Sequence, residues 1–425
     1  MTNTLFTNVT LFDGSGAQPG PGEVLVQGNR IKQVATDGKK LPRKDTNVIN
    51  GGGATLMPGM CDAHTHFGWI DQAGLDPIGL MPVEEHVLAA ADNARTYLDC
   101  GYTMCVGAAA AKPRLDVVIR NAINKGQIPG PRYLANGPEI ATIGGLGDVN
   151  PSHLAGYTFV EIINGPEEMR RCVRKLLKEG VDLIKLNLSG EEITLTARAE
   201  QTLMAEDEIA MAMQEAARKG VRACAHARSA ESVKLCIKYG IDIIFHASYT
   251  DAEGMDLLEA NRDRVFVAPG LAWLIQTAYH ASDWGVTPEV AKDMGYHREL
   301  EAAIAGCKEM HKRGIRVLPG GDYGFAWTPH GTYAKDLEYF VDLLGFTSME
   351  ALLSATKLGG EIMEQPGELG QIAEGYLADM ILVDGNPLKD VKILQDRDNL
   401  LAIMKDGQFH KPPADPKSGR QTKAA

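Results

Sequence analysis

Two histidines separated by one residue, His64 and His66, are the clearest candidates for chemistry in this sequence. They end the run Met57-Pro-Gly-Met-Cys-Asp-Ala-His-Thr-His66. On a β-strand, side chains two residues apart point to the same side. If this run is a strand, both imidazoles converge on one point, which suits a divalent metal ion. The pair therefore predicts a metal site.

Four further potential ligands occur downstream, each within or just after its own short apolar run. Such runs are typical of strands, and catalytic groups of an α/β barrel lie at the C-terminal ends of its strands. Four imidazoles and a carboxylate can bind one or two zinc-like ions. The predicted set of metal ligands is His64, His66, Lys185, His226, His246 and Asp322.

The composition is that of an ordinary globular protein. Apolar residues make up 44% and charged residues 23% of the 425 residues. The net charge of −12 and the lack of a basic stripe argue against nucleic-acid binding. No apolar run reaches the length of about 18 residues that a membrane span needs, and no signal peptide is apparent. Seven scattered cysteines are typical of reduced thiols, so we expect a cytoplasmic protein.

Short strand-like runs separated by turns occupy both ends of the chain. They cover residues 5–12, 23–27 and 31–35 near the start, and 378–384 and 400–405 near the end. We expect residues 1–55 and 361–410 to form one small β-sandwich domain. The polar, proline-rich tail, residues 411–425, is predicted to be disordered.

Between these ends, strand-like runs alternate with helical patterns. Eight apolar runs are apparent, at residues 56–66, 102–106, 132–135, 182–188, 222–226, 242–246, 264–268 and 316–319. Helical patterns separate several of them, at residues 167–179, 206–219 and 299–313. The alternation predicts an α/β fold, a (β/α)8 TIM barrel over residues 56–360. A doubly wound open sheet would have a glycine-rich phosphate-binding turn after its first strand, where this chain has histidines.

The chain resembles the amidohydrolase superfamily, in the imidazolonepropionase-like branch that includes metal-dependent dipeptidases of the prolidase type. The resemblance covers nearly the whole length. Its most specific motifs are Pro58-Gly-Met-Cys-Asp-Ala-His-Thr-His66 and Gly370-Gln-Ile-Ala-Glu-Gly-Tyr-Leu-Ala-Asp379. Shorter matches are Asn8-Val-Thr-Leu-Phe-Asp-Gly14, Asp182-Leu-Ile-Lys185 and Gly320-Gly-Asp322.

The resemblance implies two divalent ions, of which zinc is the expected metal. His64, His66 and Asp322 would hold the more buried ion, and His226 and His246 the second. Lys185 would bridge them after carbamylation, because an ammonium cannot ligate a cation whereas a carbamate supplies two anionic oxygens. A hydroxide made available by the ions would attack a carbonyl. Asp322 would accept its proton and pass it to the leaving nitrogen.

The substrate end of the site departs from the dipeptidase pattern. Dipeptidase-like members typically carry Thr-Gly-Gly-His-Gly after the third strand, whereas this chain has Thr142-Ile-Gly-Gly-Leu146. A leucine cannot make the polar contact of that histidine, which favours a less polar substrate.

Arg228 is a candidate for pairing with a substrate carboxylate, or equally for a structural ion pair. The remaining predicted pocket residues are Tyr249, Trp273, Tyr323, Phe325, Trp327 and His330.

The main hypothesis is hydrolysis of a carbon–nitrogen, amide-type bond in a small and partly aromatic or apolar substrate. Two alternatives stay open: a one-metal deaminase of a heterocyclic amine, and a dipeptidase or N-acyl amino acid hydrolase. Lys185 favours two metals, because one-metal deaminases generally lack this lysine. A non-catalytic scaffold is a third class, against which the intact set of ligands argues. The resemblance further implies a homo-oligomer.

Overall fold

The structure is a computed structural model that describes residues 3–153, 158–194 and 196–413. Its strands are β1 (Asn3–Leu11), β2 (Gly20–Gln27), β3 (Arg30–Thr36), β4 (Thr46–Asn50), β5 (Thr55–Pro58), β6 (Met60–Thr65), β7 (Tyr102–Gly107), β8 (Arg132–Leu134), β9 (Glu139–Thr142), β10 (Val160–Ile163), β11 (Leu183–Asn187), β12 (Arg222–Ala227), β13 (Ile243–His246), β14 (Phe266–Ala268), β15 (Met380–Val383), β16 (Leu400–Lys405) and β17 (Gln408–Lys411). Its α-helices are α1 (Asp76–Leu80), α2 (Val83–Asp99), α3 (Leu115–Asn124), α4 (Pro166–Glu179), α5 (Glu206–Ala217), α6 (Ala230–Tyr239), α7 (Ala252–Ala260), α8 (Leu271–His280), α9 (Pro288–Met294), α10 (Tyr296–Lys312), α11 (Lys335–Asp342), α12 (Ser348–Ala355) and α13 (Lys357–Ile362).

Strands from both ends of the chain join in one eight-stranded mixed sheet. Its order is β17-β16-β15-β5-β1-β2-β3, with β4 beside β1. The C-terminal strand β15 runs antiparallel to β5, with Met380 opposite Pro58. An ion pair between Arg132 Nε in β8 and Asp379 Oδ2, 2.8 Å apart, ties this sheet to the central strands. The two ends of the chain therefore form one unit that supports the barrel.

The central strands are parallel and form two sheets. One has the order β10-β9-β11-β12-β13-β14, and the other β6-β7-β8. Individual hydrogen bonds join them at both seams: the amide of Asp182 donates to Ala135 O at 2.8 Å, and that of Ala63 to Pro319 O at 3.0 Å. Pro319 belongs to the eighth predicted run, which also bridges β14 through Val267 and Val317. The seams thus lack the continuous ladder of the other strand pairs.

Helix α4 shows why the intervening segments fold as helices against these strands. Its buried residues Met169, Cys172, Val173 and Leu176 recur at helical spacing and form one apolar face. Pro166 occupies the first turn, where its missing amide proton is not needed. Gly180 ends the helix in the left-handed conformation, with φ 88°. Local sequence signals therefore set both ends of this helix.

The structure refines the sequence-based boundaries at several points. The run 56–66 is divided between β5, which belongs to the terminal sheet, and β6, the first barrel strand. Strands β9 and β10 are additional to the eight predicted runs. The tail predicted from residue 411 begins within β17, and residues 414–425 lie outside the described part. None of the helices in the described part is long and apolar enough to cross a bilayer.

Candidate metal centre

One cavity contains all six predicted metal ligands. It has a volume of about 50 Å³ and opens where the barrel strands end. Strand pairing explains how distant residues meet, because Ala227 in β12 is paired with His246 in β13. This register places the rings of His226 and His246 with centroids 4.5 Å apart. The ligands that line the cavity are His64, His66, Lys185, His226, His246 and Asp322.

Asp322 lies against the His-x-His pair. Its Oδ1 atom is 3.2 Å from His66 Nε2 and 3.6 Å from His64 Nε2. Ligand atoms of His64, His246 and Asp322 all lie within 4.8 Å of one another. A second group with the same property joins His226 and His246 to Glu191. The side chains thus form two adjoining clusters that share His246.

Hydrogen bonds to carbonyl groups select the tautomers of two histidines. His66 Nδ1 lies 3.2 Å from Ala109 O, and His226 Nε2 lies 3.0 Å from Gly190 O. A carbonyl oxygen only accepts, so the ring nitrogen that faces it carries the proton. The opposite nitrogen, Nε2 of His66 and Nδ1 of His226, keeps its lone pair. Such backbone contacts are the usual means of orienting a metal-binding imidazole.

The donor set fits a divalent metal ion. The Nδ1 atoms of His64 and His246 are buried and have no hydrogen-bond partner in the described part of the chain. Burial, together with nearby cationic groups, holds the pKa of His64, His226 and His246 well below the usual range. These imidazoles are therefore neutral at pH 7, which is the form that ligates metal. Buried nitrogen atoms of this kind are costly unless a partner satisfies them.

Burial alone would raise the pKa of Asp322, but the adjacent His64 and His66 outweigh it and lower the pKa well below the usual range. The carboxylate is thus ionised at neutral pH. Asp322 has φ 62° and His246 has φ 73°, both in the left-handed region that residues other than glycine rarely adopt. Two residues of the site therefore sit in costly backbone conformations, as is common where function requires a particular orientation.

Lys185 is almost fully buried among aromatic and carboxylate groups. Only 1% of its surface is exposed, and its Nζ lies 4.6 Å from the ring centroid of Phe245. The nearest carboxylate is Glu139, whose Oε1 is 3.8 Å from Nζ. Glu139 also accepts a hydrogen bond of 2.6 Å from Asn187 Nδ2. A long lysine with a single distant counter-ion is an unusual occupant of such a site.

Arg228 does not line this cavity. It is fully buried and forms ion pairs with Glu191, at 2.6 Å, and with Glu299. Glu191 in turn accepts a hydrogen bond of 2.8 Å from Trp273 Nε1. Of the two roles considered for this arginine, the geometry matches the structural ion pair and not a direct contact with a substrate carboxylate. The physical reason is that two carboxylates already satisfy the guanidinium.

The predicted aromatic pocket residues are divided between the cavity and the surrounding core. Trp273 and Phe325 line the cavity, with ring centroids 4.4 Å apart. The other four predicted residues lie outside its wall: Tyr323 donates to Tyr333 O, Trp327 donates to Thr277 Oγ1, His330 contacts Trp69 O, and Tyr249 packs beside Arg298. Loop position alone therefore did not distinguish wall residues from packing residues.

Several wall residues were absent from the sequence-based prediction. They include the carboxylates of Glu139 and Glu191 and the apolar side chains of Trp69, Leu75, Phe159 and Ile193. The acidic pair that follows β11 after three intervening residues was an available signal for Glu191. Trp69 stacks on His66, with centroids 4.1 Å apart, and lies three residues beyond it. Leu146 lies in the cavity wall, which agrees with the less polar substrate inferred from a leucine where dipeptidases carry a histidine.

Comparison with known proteins extends these observations. The amidohydrolase family matches residues 55–409. Ochratoxinase from Aspergillus niger is 27% identical, and the match covers 95% of this chain and 87% of that protein. Imidazolonepropionase from Rubrobacter xylanophilus is 21% identical over 92% of this chain and 91% of that protein.

Solved structures agree with this relationship. A Xaa-Pro dipeptidase crystallised with methionine in its active site is 27% identical and superposes with a TM-score of 0.85. The match covers 96% of this chain and all of the dipeptidase. The shared fold confirms the predicted α/β class, and the sequence match confirms the predicted relationship. The chain belongs to the amidohydrolase family and is a metal-binding hydrolase of carbon–nitrogen bonds.

Proposed function

We propose that this hydrolase cleaves the amide-type bond of a small, uncharged and partly aromatic substrate. The observation that carries the proposal is the neutralisation of Arg228 by Glu191 and Glu299. Within the described wall of the cavity, Lys185 is the one remaining lysine or arginine. A substrate carboxylate would therefore find no unpaired cationic side chain there, and it would face three carboxylates.

The rest of the wall supports an apolar substrate. Seven of the residues that line the cavity are aliphatic or aromatic: Trp69, Leu75, Leu146, Phe159, Ile193, Trp273 and Phe325. Ligand sites in proteins are commonly apolar, with a few polar groups that set orientation. Here the polar groups are the predicted metal ligands and two glutamates, so recognition beyond the scissile bond would depend on hydrophobic contact.

We further propose that the protein binds two divalent ions, zinc by preference, and that Lys185 bridges them as a carbamate. The support is chemical, since a buried lysine paired with one carboxylate at 3.8 Å becomes an anionic ligand when carbamylated. When bound, the ions supply Lewis acidity, which makes water nucleophilic near neutral pH and polarises a carbonyl group. Asp322 would accept the proton of the attacking water and deliver it to the leaving nitrogen.

Three remaining features of the proposal concern the whole protein. A homo-oligomer and a cytoplasmic location are expected from the resemblance and from the reduced cysteines, all seven of which are buried and unpaired. The partners are small molecules. Size measurement by light scattering would test the oligomer, and fractionation of the source cells would test the location.

A matched pair of substrates tests the preference for uncharged compounds. N-benzoyl-L-phenylalanine and its C-terminal amide differ only in the carboxylate, and cleavage of either at the benzoyl group releases benzoate. For protein loaded with zinc and bicarbonate, we expect kcat/KM for the amide to exceed that for the acid by about tenfold or more, equivalent to at least about 1.4 kcal/mol. A preference for the acid would restore the dipeptidase or N-acyl amino acid hydrolase alternative. Ammonia release from heterocyclic amines alone would favour the deaminase.

A further inference from the structure

A second concavity adjoins the metal centre. We call it the apolar groove and define it by Leu75, Ile193, Trp284, Val286, Tyr296 and Trp327. Its volume is about 540 Å³, roughly ten times that of the catalytic cavity. Asp76 is the one charged residue among the described residues that line it. The groove thus has the size and character of a site for an uncharged organic group.

The groove shares part of its wall with the catalytic cavity. Leu75 and Ile193 contribute to the walls of both. The catalytic cavity, at about 50 Å³, has room for little more than the scissile group, whereas ligand sites commonly measure about 300–1,000 Å³. The remainder of any larger substrate must therefore extend outward, and the shared walls direct it towards the groove.

A row of aromatic rings connects the two sites. Phe325 and Trp273 line the cavity, and the centroids of Trp273 and Trp327 are 5.4 Å apart. Trp327 in turn lies 6.0 Å from Trp284, which is 40% exposed at the outer end of the groove. Such spacing is typical of packed aromatic pairs. The row forms one hydrophobic wall from the metal centre to the surface.

We propose that the apolar groove is a second binding subsite, which holds an uncharged aromatic or aliphatic portion of the substrate remote from the scissile bond. This inference rests on the proposed function. The walls shared with the catalytic cavity indicate that the occupant of the groove is part of the substrate. The lining offers hydrophobic contact and one carboxylate, which indicates that this part is uncharged. Contact energy gained at this distance from the reacting atoms would determine which amides the enzyme accepts.

A binding experiment tests the subsite without reference to turnover. The uncharged dye N-phenyl-1-naphthylamine, excited directly, is titrated with wild-type protein and with Trp284→Ala. Leu88→Ala is the matched control, because Leu88 in α2 is an exposed apolar residue, 73% accessible, that is absent from the groove lining. We expect the Kd of the dye to rise about tenfold in Trp284→Ala and to be unchanged in Leu88→Ala. Equal affinity in all three proteins would overturn the proposal.

A substrate pair separates this inference from the proposed function. Acetamide is little larger than the scissile group, whereas octanamide also reaches the groove. We expect Trp284→Ala to raise KM for octanamide about tenfold and to leave acetamide unaffected. Equal effects on both amides would refute the subsite and leave the hydrolase intact, whereas failure of the wild type on every amide would refute the proposed function alone. Dissociation of an oligomer by Trp284→Ala, with unchanged dye affinity, would instead identify the groove as an interface between copies.

Discussion

Gly270 lies directly against His246, so an alanine at this position collides with one metal ligand and meets Asp322 Cβ only at an ordinary contact distance of 3.8 Å. Gly270 precedes α8 with φ 62°, and an added Cβ would lie 2.8 Å from His246 Nδ1 and 3.0 Å from Cε1. Carbon atoms of real side chains essentially never approach so closely. We expect Gly270→Ala to push the imidazole away from its position beside His64 and His226.

The size of the effect follows from the geometry. Ordinary van der Waals contact begins near 3.4 Å, so the ring must move by about 0.6 Å from its distance of 2.8 Å. Zinc–nitrogen bonds measure about 2.0–2.1 Å and functional sites tolerate errors of about 0.2 Å. A displacement of this size should lower zinc affinity by about 10- to 100-fold, comparable to loss of a residue that orients a ligand.

Gly240→Ala is the matched control. Gly240 ends α6 with φ 80°, and its added Cβ would meet no atom within 4 Å. Both substitutions place alanine in the left-handed region, at a cost of about 1–2 kcal/mol. Urea unfolding of metal-free protein should therefore show this loss in both variants, with a further loss of about 1–3 kcal/mol in Gly270→Ala from displacement of the buried imidazole. Competition with a chromophoric chelator should show weaker zinc binding in Gly270→Ala only, and equal zinc affinity in the two variants would refute the reasoning.

Three further predictions concern single side chains. Asp322→Asn should lower kcat by about 10²- to 10⁴-fold with the fold retained, because a neutral amide cannot accept the proton, and near-wild-type turnover would contradict the proposed shuttle. Arg228→Met should lower the unfolding free energy by about 3–5 kcal/mol, since it leaves two buried carboxylates unpaired. In the same urea titration, Arg174→Met, which removes a half-exposed arginine, should cost much less. Burial raises the pKa of Asp116 to about 6 from 3.8, so the folded protein holds the proton of this carboxyl group more tightly than the unfolded chain does. The contribution of Asp116 to the free energy of unfolding is therefore greatest below pH 4 and is lost as pH rises through 6. The stability of Asp116→Asn relative to wild type should accordingly rise by about 3 kcal/mol between pH 4 and pH 7, and a constant difference would refute the assignment.

The local pattern of apolar residues was sufficient to predict most of the barrel strands and helices. The predicted run 222–226 corresponds to β12, and 242–246 to β13, because apolar residues at these positions are buried on both faces of a parallel strand. The predicted helix 167–179 corresponds closely to α4. The division of 56–66 at Gly59 was not predicted, because both halves are equally apolar and only their pairing partners differ.

The metal ligands could be predicted from the sequence, whereas the residues of the pocket wall could not. The histidine ligands lie at or next to strand ends, Lys185 lies within β11 and Asp322 follows the eighth predicted run. Parallel strands bring such positions together, so spacing and strand position were informative. Loop aromatics carry no such constraint. Trp273 lines the cavity whereas Tyr323 donates a hydrogen bond to Tyr333 O, and nothing in their local sequence distinguishes these orientations.

The sequence by itself determined the fold class, the family and the residues that meet at the metal centre. Only the tertiary structure showed that Arg228 is held in an ion pair, because its partner Glu299 lies 71 residues away on a different element. The same holds for the apolar groove, whose walls come from segments as distant as Leu75 and Trp327. Patterns repeated along one element are local in the chain, whereas charge neutralisation and cavity shape depend on contacts between elements.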